Sequence, residues 1–252
     1  MSAGLQVQGR VALVTGANRG IGRALVEALL ERGARKVYAA ARKPETLAEL
    51  VAAGEGRVVA LRVDITNGTE VRRAAVEADD VDLLINNAGV VGHAFAEFGD
   101  AAWLDAGRQE FETNVLGTLR VSQAFAPVLA RHGGGAIANI SSVAGLVGLP
   151  PVMTYSSSKA ALHSITQTTR QLLRGQGTFV AGVYPGPVDT DMAAEMTLPK
   201  ATTASAAHAI LDGLEQGLEE IYPDPFAVES GDVYAVNPKG LEQRFATAGA
   251  AG

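Results

Sequence analysis

The sequence predicts an α/β fold, with one parallel β-sheet of about seven strands flanked by helices on both faces. Seven short apolar runs, rich in Val, Ile and Ala, alternate with helical patterns along the chain. The runs are almost continuously hydrophobic, which is typical of parallel strands covered on both faces. No linker, repeat or block of charge divides the sequence. We therefore expect residues 1–252 to form a single doubly wound domain.

Short apolar runs define the candidate strands. Helical patterns between them predict right-handed crossovers that keep the strands parallel. The runs are RVALVTG from Arg10, KVYAAAR from Lys36, RVVALRVDI from Arg57, VDLLINNAG from Val81, GAIANISS from Gly135, FVAGVYPG from Phe179 and the short DVYAV from Asp232.

Helical periodicity fills the intervals. IGRALVEALLERG places Ile21, Leu25 and Leu29 on one face and ends at Gly33, a typical C-cap. The tail ATAGAAG, residues 246–252, is expected to fray because nothing in it can pack. Further helices are predicted in KPETLAELVAAG, in GTEVRRAAVEA, over about 110–132 and over about 156–175.

Composition excludes several classes of protein. Hydrophobic residues make up 47% and charged residues 19%, which indicates a folded chain. No apolar run reaches the roughly 18 residues that span a bilayer, and MSAGLQVQGR lacks the features of a signal peptide. Without Cys there is no disulfide framework or Cys-ligated zinc. These features together fit a cytoplasmic protein. The net charge of −6 argues separately against a nucleic-acid partner.

The four histidines do not suggest a metal site. They are widely spaced, and no two of them form a metal-binding pair. His93 follows the fourth candidate strand and is a weaker candidate for the border of a pocket. His132 lies near the predicted end of a helix, where an imidazolium interacts favourably with the helix dipole. No metal is expected.

The first strand runs into TGANRGIG, Thr15 to Gly22, which we call the glycine-rich loop. Gly16 allows a tight turn, Gly20 lets backbone approach a pyrophosphate, and Gly22 lets the helix pack closely. The helix N-terminus offers free N–H groups and partial positive charge to phosphates. Its position between strand and helix favours dinucleotide binding over the alternative of an ordinary turn.

The end of the second strand indicates which dinucleotide is bound. A free ribose 2′-hydroxyl usually meets an acidic residue about 20 residues after the loop. Here Ala41, Arg42 and Lys43 occupy that place, and Arg19 lies inside the loop itself. A 2′-phosphate suits such a cationic pocket, so NADP(H) is favoured over NAD(H). The alternative is that Arg42 and Lys43 are solvated residues at a helix start.

Six motifs occur in the order found in short-chain dehydrogenases/reductases, and the chain resembles their roughly 250-residue branch over about residues 8–240. The resemblance implies a Rossmann-type sheet, a nicotinamide cofactor and reversible hydride transfer between a carbonyl and an alcohol. The motifs are TGANRGIG, NNAG (Asn86–Gly89), Asn114, NISS (Asn139–Ser142), YSSSK (Tyr155–Lys159) and PGPVDT (Pro185–Thr190), the last of which we call the nicotinamide turn.

The resemblance assigns Tyr155 as general acid/base and Lys159 as the residue that lowers its pKa and binds ribose. The residues support this pairing, because positions i and i+4 share one helical face. A cation about 4 Å from a phenol, at an effective dielectric near 20, stabilises the phenolate by on the order of 4 kcal/mol, or about three pKa units before desolvation is counted. An oxidised nicotinamide acts in the same direction, so Lys159 and the cofactor together are expected to bring the pKa of Tyr155 close to the working pH.

Two further residues complete the implied catalytic set. Ser142 matches the family's serine that holds the substrate oxygen. The adjacent Ser141 points to the opposite side if the strand continues. Asn114 matches the family's helical Asn, which links through water to the lysine and completes a proton path.

Other positions resemble the family's cofactor contacts. Asp64, followed by Ile65, matches the residue that meets the adenine amino group, and the NNAG motif lines the ribose and pyrophosphate. In the nicotinamide turn, the Val188 backbone and the Thr190 hydroxyl hold the carboxamide. The complete predicted cofactor set is Gly16, Asn18, Arg19, Gly20, Ile21, Gly22, Arg42, Asp64, Ile65, Asn87, Ala88, Gly89, Tyr155, Lys159, Pro185, Gly186, Val188 and Thr190.

Residues 191–206, the lid segment, are expected to cover the substrate pocket. Met192, Met196 and Leu198, with Val143, Leu149 and Met153 nearby in sequence, favour a hydrophobic ketone or aldehyde, or the corresponding secondary alcohol. A catalytically silent NADP-binding regulator and an epimerase or dehydratase are the alternatives. The resemblance also implies a homodimer or homotetramer. Apolar residues beyond one helical face support it: Leu116, Leu119, Phe125, Ile165, Leu172 and Leu173.

Overall fold

The computed structural model describes residues 4–92 and 98–248, and its centre is one parallel sheet. The order β3-β2-β1-β4-β5-β6-β7 reverses its direction of growth between β1 and β4, where a crevice opens at the carboxyl ends of the strands. The predicted fold class is confirmed. The strands are β1 (Val11–Thr15), β2 (Lys36–Ala41), β3 (Val58–Arg62), β4 (Leu83–Asn86), β5 (Ala136–Ile140), β6 (Phe179–Val183) and β7 (Glu220–Ile221).

Helices lie on both faces of the sheet. A π-helical segment, Phe111–Gly117, joins two of them, α4 and α5, into one continuous rod. None of the described helices is both long and apolar enough to cross a lipid bilayer. They are α1 (Gly20–Glu31), α2 (Ala48–Ala53), α3 (Gly68–Glu77), α4 (Ala102–Glu110), α5 (Thr118–Arg131), α6 (Met153–Leu173), α7 (Thr203–Glu215), α8 (Pro225–Val236) and α9 (Pro238–Ala248).

The continuous apolar runs have a simple cause in β1. Successive side chains of a strand point to opposite faces. Ala12 and Val14 therefore pack in the core beneath α1 and α7, whereas Val11 and Leu13 pack in the core beneath α3 and α5. Because both faces are covered, every position of the strand is buried and apolar residues are favoured throughout.

The seventh strand was predicted in the wrong place. DVYAV from Asp232 belongs to α8, whereas β7 is the two-residue Glu220–Ile221, which pairs with the end of β6. Pro225 occupies the first turn of α8, and the Asp224 side chain accepts the N–H of Ala227 at 2.8 Å as an N-cap. These two signals specify a helix, and a two-residue edge strand is too short to show a periodicity.

Several predicted boundaries also shift. The helix expected from residue 110 begins at Ala102, and the one expected from 156 begins at Met153. Of the segment 246–252, which was expected to fray, the first three residues end α9, and residues 249–252 lie outside the described residues. The last four residues of the lid segment, 203–206, form the first turn of α7.

Fewer of the predicted apolar residues are exposed for contact with a partner chain than the sequence suggests. Phe125 is only 1% exposed and belongs to the core of its own chain, so it is not available to a partner. Leu119, Ile165 and Leu173 are half-buried. Leu116 and Leu172 remain 46% and 76% exposed.

Candidate active site

The glycine-rich loop joins β1 to α1 at the crevice. Gly16 and Gly20 have φ angles of +65° and +54°, in the left-handed region that favours glycine. A Cβ on Gly22 would lie 2.2 Å from the carbonyl oxygen of Gly16. No described side chain caps the first turn of α1. The loop is therefore a tight backbone cradle with open N–H donors, which fits the pyrophosphate of a dinucleotide.

The NNAG motif holds this loop in place. The side-chain amide of Asn87 donates to the carbonyl oxygens of Thr15 and Gly16, at 2.9 and 3.1 Å. The Thr15 hydroxyl accepts the N–H groups of Asn87 and Ala88, at 3.0 and 3.1 Å. Asn87, which was predicted to line the cofactor site, thus uses its amide to brace the loop. Asn18 and Ile21 are half-buried on the loop itself.

Asp64 and Arg42 lie near each other where the adenosine end of the cofactor is predicted to bind. Burial raises the pKa of Asp64, but hydrogen bonds from Thr66 and the positive charges of Arg42 and Arg120 act the other way and bring it below its ordinary value. The N–H and the hydroxyl of Thr66 donate to the Asp64 carboxylate at 2.9 and 2.7 Å. The neighbouring Ile65 is buried, and its carbonyl oxygen accepts from Arg120 at 2.7 Å.

The other predicted cations lie apart from one another. Arg42 and Lys43 are both exposed after β2. Arg19, also exposed, forms an ion pair of 3.0 Å with Asp191 at the start of the lid segment. In this structure Arg19 therefore bridges the crevice toward the lid segment. Of the three cations predicted to bind the 2′-phosphate, Arg42 is the one whose charge acts on Asp64, together with Arg120.

The nicotinamide turn closes the opposite side of the crevice. A Cβ on Gly20 would lie 3.1 Å from the Thr190 methyl group, which brings the turn against the glycine-rich loop. The buried Val188 forms a bridge with Ala201, and the Asp189 N–H donates to the Ala201 carbonyl at 2.9 Å. The nicotinamide turn and the glycine-rich loop thus lie against each other at the crevice.

The Tyr155 hydroxyl lies beside the Ser142 side chain, which opposes the rise in the pKa of the phenol. Tyr155 lies in the first turn of α6, and Ser142 follows the end of β5. The Ser142 hydroxyl also accepts the Ala144 N–H at 3.1 Å and lies 3.4 Å from the Pro185 carbonyl oxygen. Ser141 is buried and donates to the Lys159 carbonyl, so it faces away from Tyr155.

Lys159 lies one turn after Tyr155 and is buried. Its ammonium is 5.6 Å from the centre of the Tyr155 ring and donates to the Ile140 carbonyl at 2.8 Å. Burial lowers the pKa of Lys159 to about 8. A neutral amine is therefore within reach near physiological pH.

In the cofactor-free chain the pKa of Tyr155 lies above its ordinary value. Burial raises it to about 12, the Ser142 side chain opposes this, and the charge of Glu110 adds to the rise. The lowering expected from Lys159 together with a bound nicotinamide cofactor stays a prediction, because it concerns the loaded site. Tyr155 is protonated at neutral pH.

Asn114 is fully buried within the π-helical segment, a feature often found at functional sites. Its amide donates to the Val90 carbonyl at 2.9 Å and to the Ser158 hydroxyl at 3.0 Å, and its oxygen accepts the Val90 N–H at 2.8 Å. A Cβ on Gly89 would lie 3.2 Å from this oxygen and 3.5 Å from the Lys159 ammonium. Glycine at 89 lets both groups approach the same stretch of backbone.

Sequence reasoning missed Glu110, a carboxylate that is 1% exposed. Its Oε1 accepts the N–H of Gly92 at 2.7 Å, whereas its Oε2 has no hydrogen-bond partner within the described part of the chain. Glu110 and Asn114 are four residues apart, and together they hold the backbone at 90 and 92. The sequence signal that could have revealed Glu110 is this spacing, which places it on the same side of the helix as Asn114.

It also missed Asp224, which is 5% exposed and precedes α8. One carboxylate oxygen accepts the N–H of Gly186 in the nicotinamide turn at 2.8 Å, and the other caps α8. The Asp-Pro pair at 224–225 is a recognisable helix start, but nothing local points to Gly186.

A cavity of about 710 Å³ lies beside α6, but its lining differs from the one expected for the substrate pocket. Its walls include Leu149 and Met153, as anticipated, but neither Tyr155 nor any residue of the lid segment. Met192, Met196 and Leu198 are exposed instead. The α6 residues of the cavity are Met153, Ser156, Ser157 and Ala160, which lie one to five positions from Tyr155 and at other helical angles, so the cavity faces another side of α6 than Tyr155 does.

The histidines stay outside the catalytic cluster as far as the structure describes them. His132 follows α5 and contacts the Asp79 carbonyl at 2.7 Å, and His163 contacts the Tyr184 hydroxyl at 2.6 Å. His93 lies outside the described residues. Within 4–92 and 98–248, no group of three His, Asp or Glu side chains could hold a metal ion.

Comparison with known proteins gives one family. The model of the short chain dehydrogenase family matches residues 10–201 of this chain. An uncharacterized oxidoreductase of Bacillus subtilis, YvrD, is 31% identical over 250 residues, which cover 97% of this chain and 87% of YvrD.

Solved structures agree with this match. A short chain dehydrogenase of Burkholderia cenocepacia in complex with NADP is 42% identical, with a TM-score of 0.87 over 96% of this chain and 99% of its own. A short chain dehydrogenase/reductase of Burkholderia phymatum in complex with NAD is 25% identical, with a TM-score of 0.81 over 95% of this chain and 96% of its own.

Proposed function

This chain belongs to the short-chain dehydrogenase family, and from that premise we propose that it transfers a hydride between NADP(H) and a ketone, an aldehyde or a secondary alcohol. The observation that carries the proposal is that the Tyr155 hydroxyl lies next to the Ser142 hydroxyl, which is 3.4 Å from the Pro185 carbonyl oxygen of the nicotinamide turn. A substrate oxygen placed between these two hydroxyls meets one proton donor and one positioning group. The chemistry supplied by the cofactor, when bound, is the hydride itself.

In the reducing direction, Tyr155 gives its phenolic proton to the carbonyl oxygen while the carbonyl carbon receives the hydride. Ser142 orients that oxygen by hydrogen bonding. Lys159 then returns a proton toward Tyr155, a role supported by its pKa of about 8. Asn114 secures the backbone beside Lys159 and, in this proposal, continues the proton path through water. In the oxidising direction, each proton moves in reverse.

We assign NADP(H) as the cofactor because Arg42 lies exposed beside Asp64, where a 2′-phosphate would need a cation. A guanidinium matches phosphate geometry through paired donors. The NADP complex of the 42% identical relative supports this choice, and the NAD complex of the 25% identical one makes Arg42 the residue to test.

The substrate that we propose is a hydrophobic carbonyl compound. The lid segment presents Met192, Met196 and Leu198 as exposed apolar side chains that a bound apolar substrate could cover. Lys200, its one cation, donates to the Ala194 carbonyl at 3.3 Å. We also propose a cytoplasmic location and a homodimeric or homotetrameric state.

The test is an absorbance assay of NADPH oxidation and NADP reduction with a panel of ketones, aldehydes and secondary alcohols. We expect turnover of apolar members, with kcat/KM for NADPH at least about 100-fold above that for NADH, since two charge-assisted hydrogen bonds act on the extra phosphate. Changing Ala41→Asp together with Arg42→Leu is expected to reverse that preference. NADPH binding without turnover of any member would favour the silent regulator instead.

A further inference from the structure

The contact between Asp224 and the nicotinamide turn joins two parts of the chain that the family match separates. That match ends at residue 201, and Asp224 follows it. Its Oδ2 accepts the N–H of Gly186 at 2.8 Å, and its Oδ1 accepts the N–H of Ala227 at 2.8 Å. One buried carboxylate therefore binds the nicotinamide turn and the first turn of α8 at once.

The peptide group between Pro185 and Gly186 is held from both sides. Its N–H points to Asp224, and its carbonyl oxygen accepts the N–H of Val143 at 3.1 Å and lies 3.4 Å from the Ser142 hydroxyl. A peptide group is planar, so fixing both ends sets the direction of the whole unit. The carboxylate of Asp224 and the hydroxyl of Ser142 thus act on one rigid plane.

The surrounding packing leaves little freedom to this plane. A Cβ on Gly186 would lie 2.7 Å from both the Asp224 Oδ1 and the Phe226 ring. Phe226 in turn stacks on Phe245 of α9, with ring centres 5.9 Å apart and planes inclined by 6°. The two C-terminal helices therefore press the turn from outside through Asp224 and Phe226.

We propose that Asp224 is a positioning residue that orients the Pro185–Gly186 peptide, and thereby aligns both the nicotinamide turn and the Ser142 hydroxyl. The proposal rests on the function proposed above. An ionised acceptor forms a stronger hydrogen bond than a neutral one, which suits a contact that must hold a turn against thermal motion. Without it, the peptide retains its carbonyl contacts but loses its partner on the N–H side.

Asp224→Ser separates this role from helix capping. Serine is an equally good N-cap, so α8 keeps its first turn, but its single short hydroxyl cannot also reach Gly186. The matched control is Asn237→Ala, because Asn237 caps the adjacent α9 by accepting the Gly240 N–H at 2.9 Å, away from the turn. Asp224→Asn, which retains the side-chain shape and one acceptor oxygen, is the second variant if the serine variant does not fold.

The measurement compares NADPH with 2′,5′-ADP, which contains the adenosine end but no nicotinamide. We expect Asp224→Ser to weaken NADPH binding at least about tenfold, the scale of one lost charge-assisted hydrogen bond, and to leave 2′,5′-ADP binding within about twofold. Asn237→Ala should change neither affinity. Fluorescence titration gives the first constant and calorimetry the second.

Two results would overturn the proposal. Equal weakening of both ligands would make Asp224 a general support of the fold, and unchanged NADPH binding would remove its positioning role. A wild-type chain that binds 2′,5′-ADP but gains nothing from the nicotinamide half of NADPH would refute the function proposed above and this inference with it. That last case is recognised before any variant is made.

Discussion

At the scale of single residues, the pKa of the Tyr155 phenol depends on its burial and on side chains from neighbouring elements. Burial raises its pKa, Ser142 after β5 opposes the rise, and Glu110 at the end of α4 adds to it. The Lys159 ammonium lies 5.6 Å from the centre of the ring and donates to the Ile140 carbonyl. In the proposed mechanism Tyr155 therefore starts as a proton donor, and in the oxidising direction the positive charge of a bound cofactor would lower its pKa.

Tyr155→Phe is expected to retain NADPH binding and to lose at least about 100-fold in kcat, the usual scale of general acid/base catalysis. The variant removes one hydroxyl and leaves the ring. Stopped-flow or steady-state rates with the best panel substrate give the comparison. Tyr38→Phe, which removes a hydroxyl bonded to Asp80 in another part of the sheet, is the control. Near-normal turnover in Tyr155→Phe would take the phenol out of the mechanism.

Glu110→Gln tests whether the charge of Glu110 acts on the pKa of Tyr155. The negative charge of Glu110 raises the pKa of Tyr155, so its removal should lower that pKa. In the proposed mechanism, carbonyl reduction needs protonated Tyr155 and is lost as pH rises through the pKa of Tyr155. The loss should therefore begin at lower pH in the variant, while the amide oxygen still accepts the Gly92 N–H.

The readout is kcat/KM for carbonyl reduction against pH. Asp105→Asn removes an exposed carboxylate from the same helix and should leave the profile unchanged. A basic limb at the same pH in Glu110→Gln and wild type would show that the carboxyl acts only by holding Gly92.

At the scale of elements, the glycine-rich loop illustrates how backbone contact limits side-chain choice. Gly22→Ala would place a methyl group 2.2 Å from the Gly16 carbonyl oxygen and 2.4 Å from the Asn87 amide. The loop and the NNAG motif must then separate, at a cost of about 1–3 kcal/mol in the free energy of unfolding. NADPH affinity should fall with it, because the cradle for the pyrophosphate is the same backbone.

Thermal unfolding and NADPH titration measure the two effects. Gly175→Ala is the matched control, because a Cβ there meets nothing within 4 Å and its backbone is not left-handed. A wild-type NADPH affinity in Gly22→Ala would mean that the loop accommodates the added methyl group without losing its shape.

At the scale of the whole molecule, apolar side chains remain exposed along the rod of α4 and α5. Leu104 and Phe111 are seven residues apart and share one face, and Leu116 follows in the π-helical segment. An exposed apolar stripe of this kind favours self-association. We expect light scattering at micromolar concentration to give two or four times the 26.0 kDa of one chain.

Leu116→Glu should shift that mass toward a single chain, because it puts a charge into the proposed interface. Val76→Glu is the control, since Val76 is an exposed apolar residue on α3. A mass of one chain for the wild type would contradict the predicted oligomer.

The sequence by itself determined the class of fold, the glycine-rich loop, and the pairing of Tyr155 with Lys159 and Ser142. These features depend on local period and on contiguous motifs. β1 must be apolar throughout because both its faces are buried, and Tyr155 and Lys159 share a face because they are four residues apart.

Only the tertiary structure decided the rest. β7 depends on pairing with β6, and the raised pKa of Tyr155 depends on burial and on Glu110, which comes 45 positions earlier in the numbering. Asp224 meets Gly186 across 38 residues. Such contacts arise when distant segments are packed together, and neither periodicity nor spacing along the chain contains them.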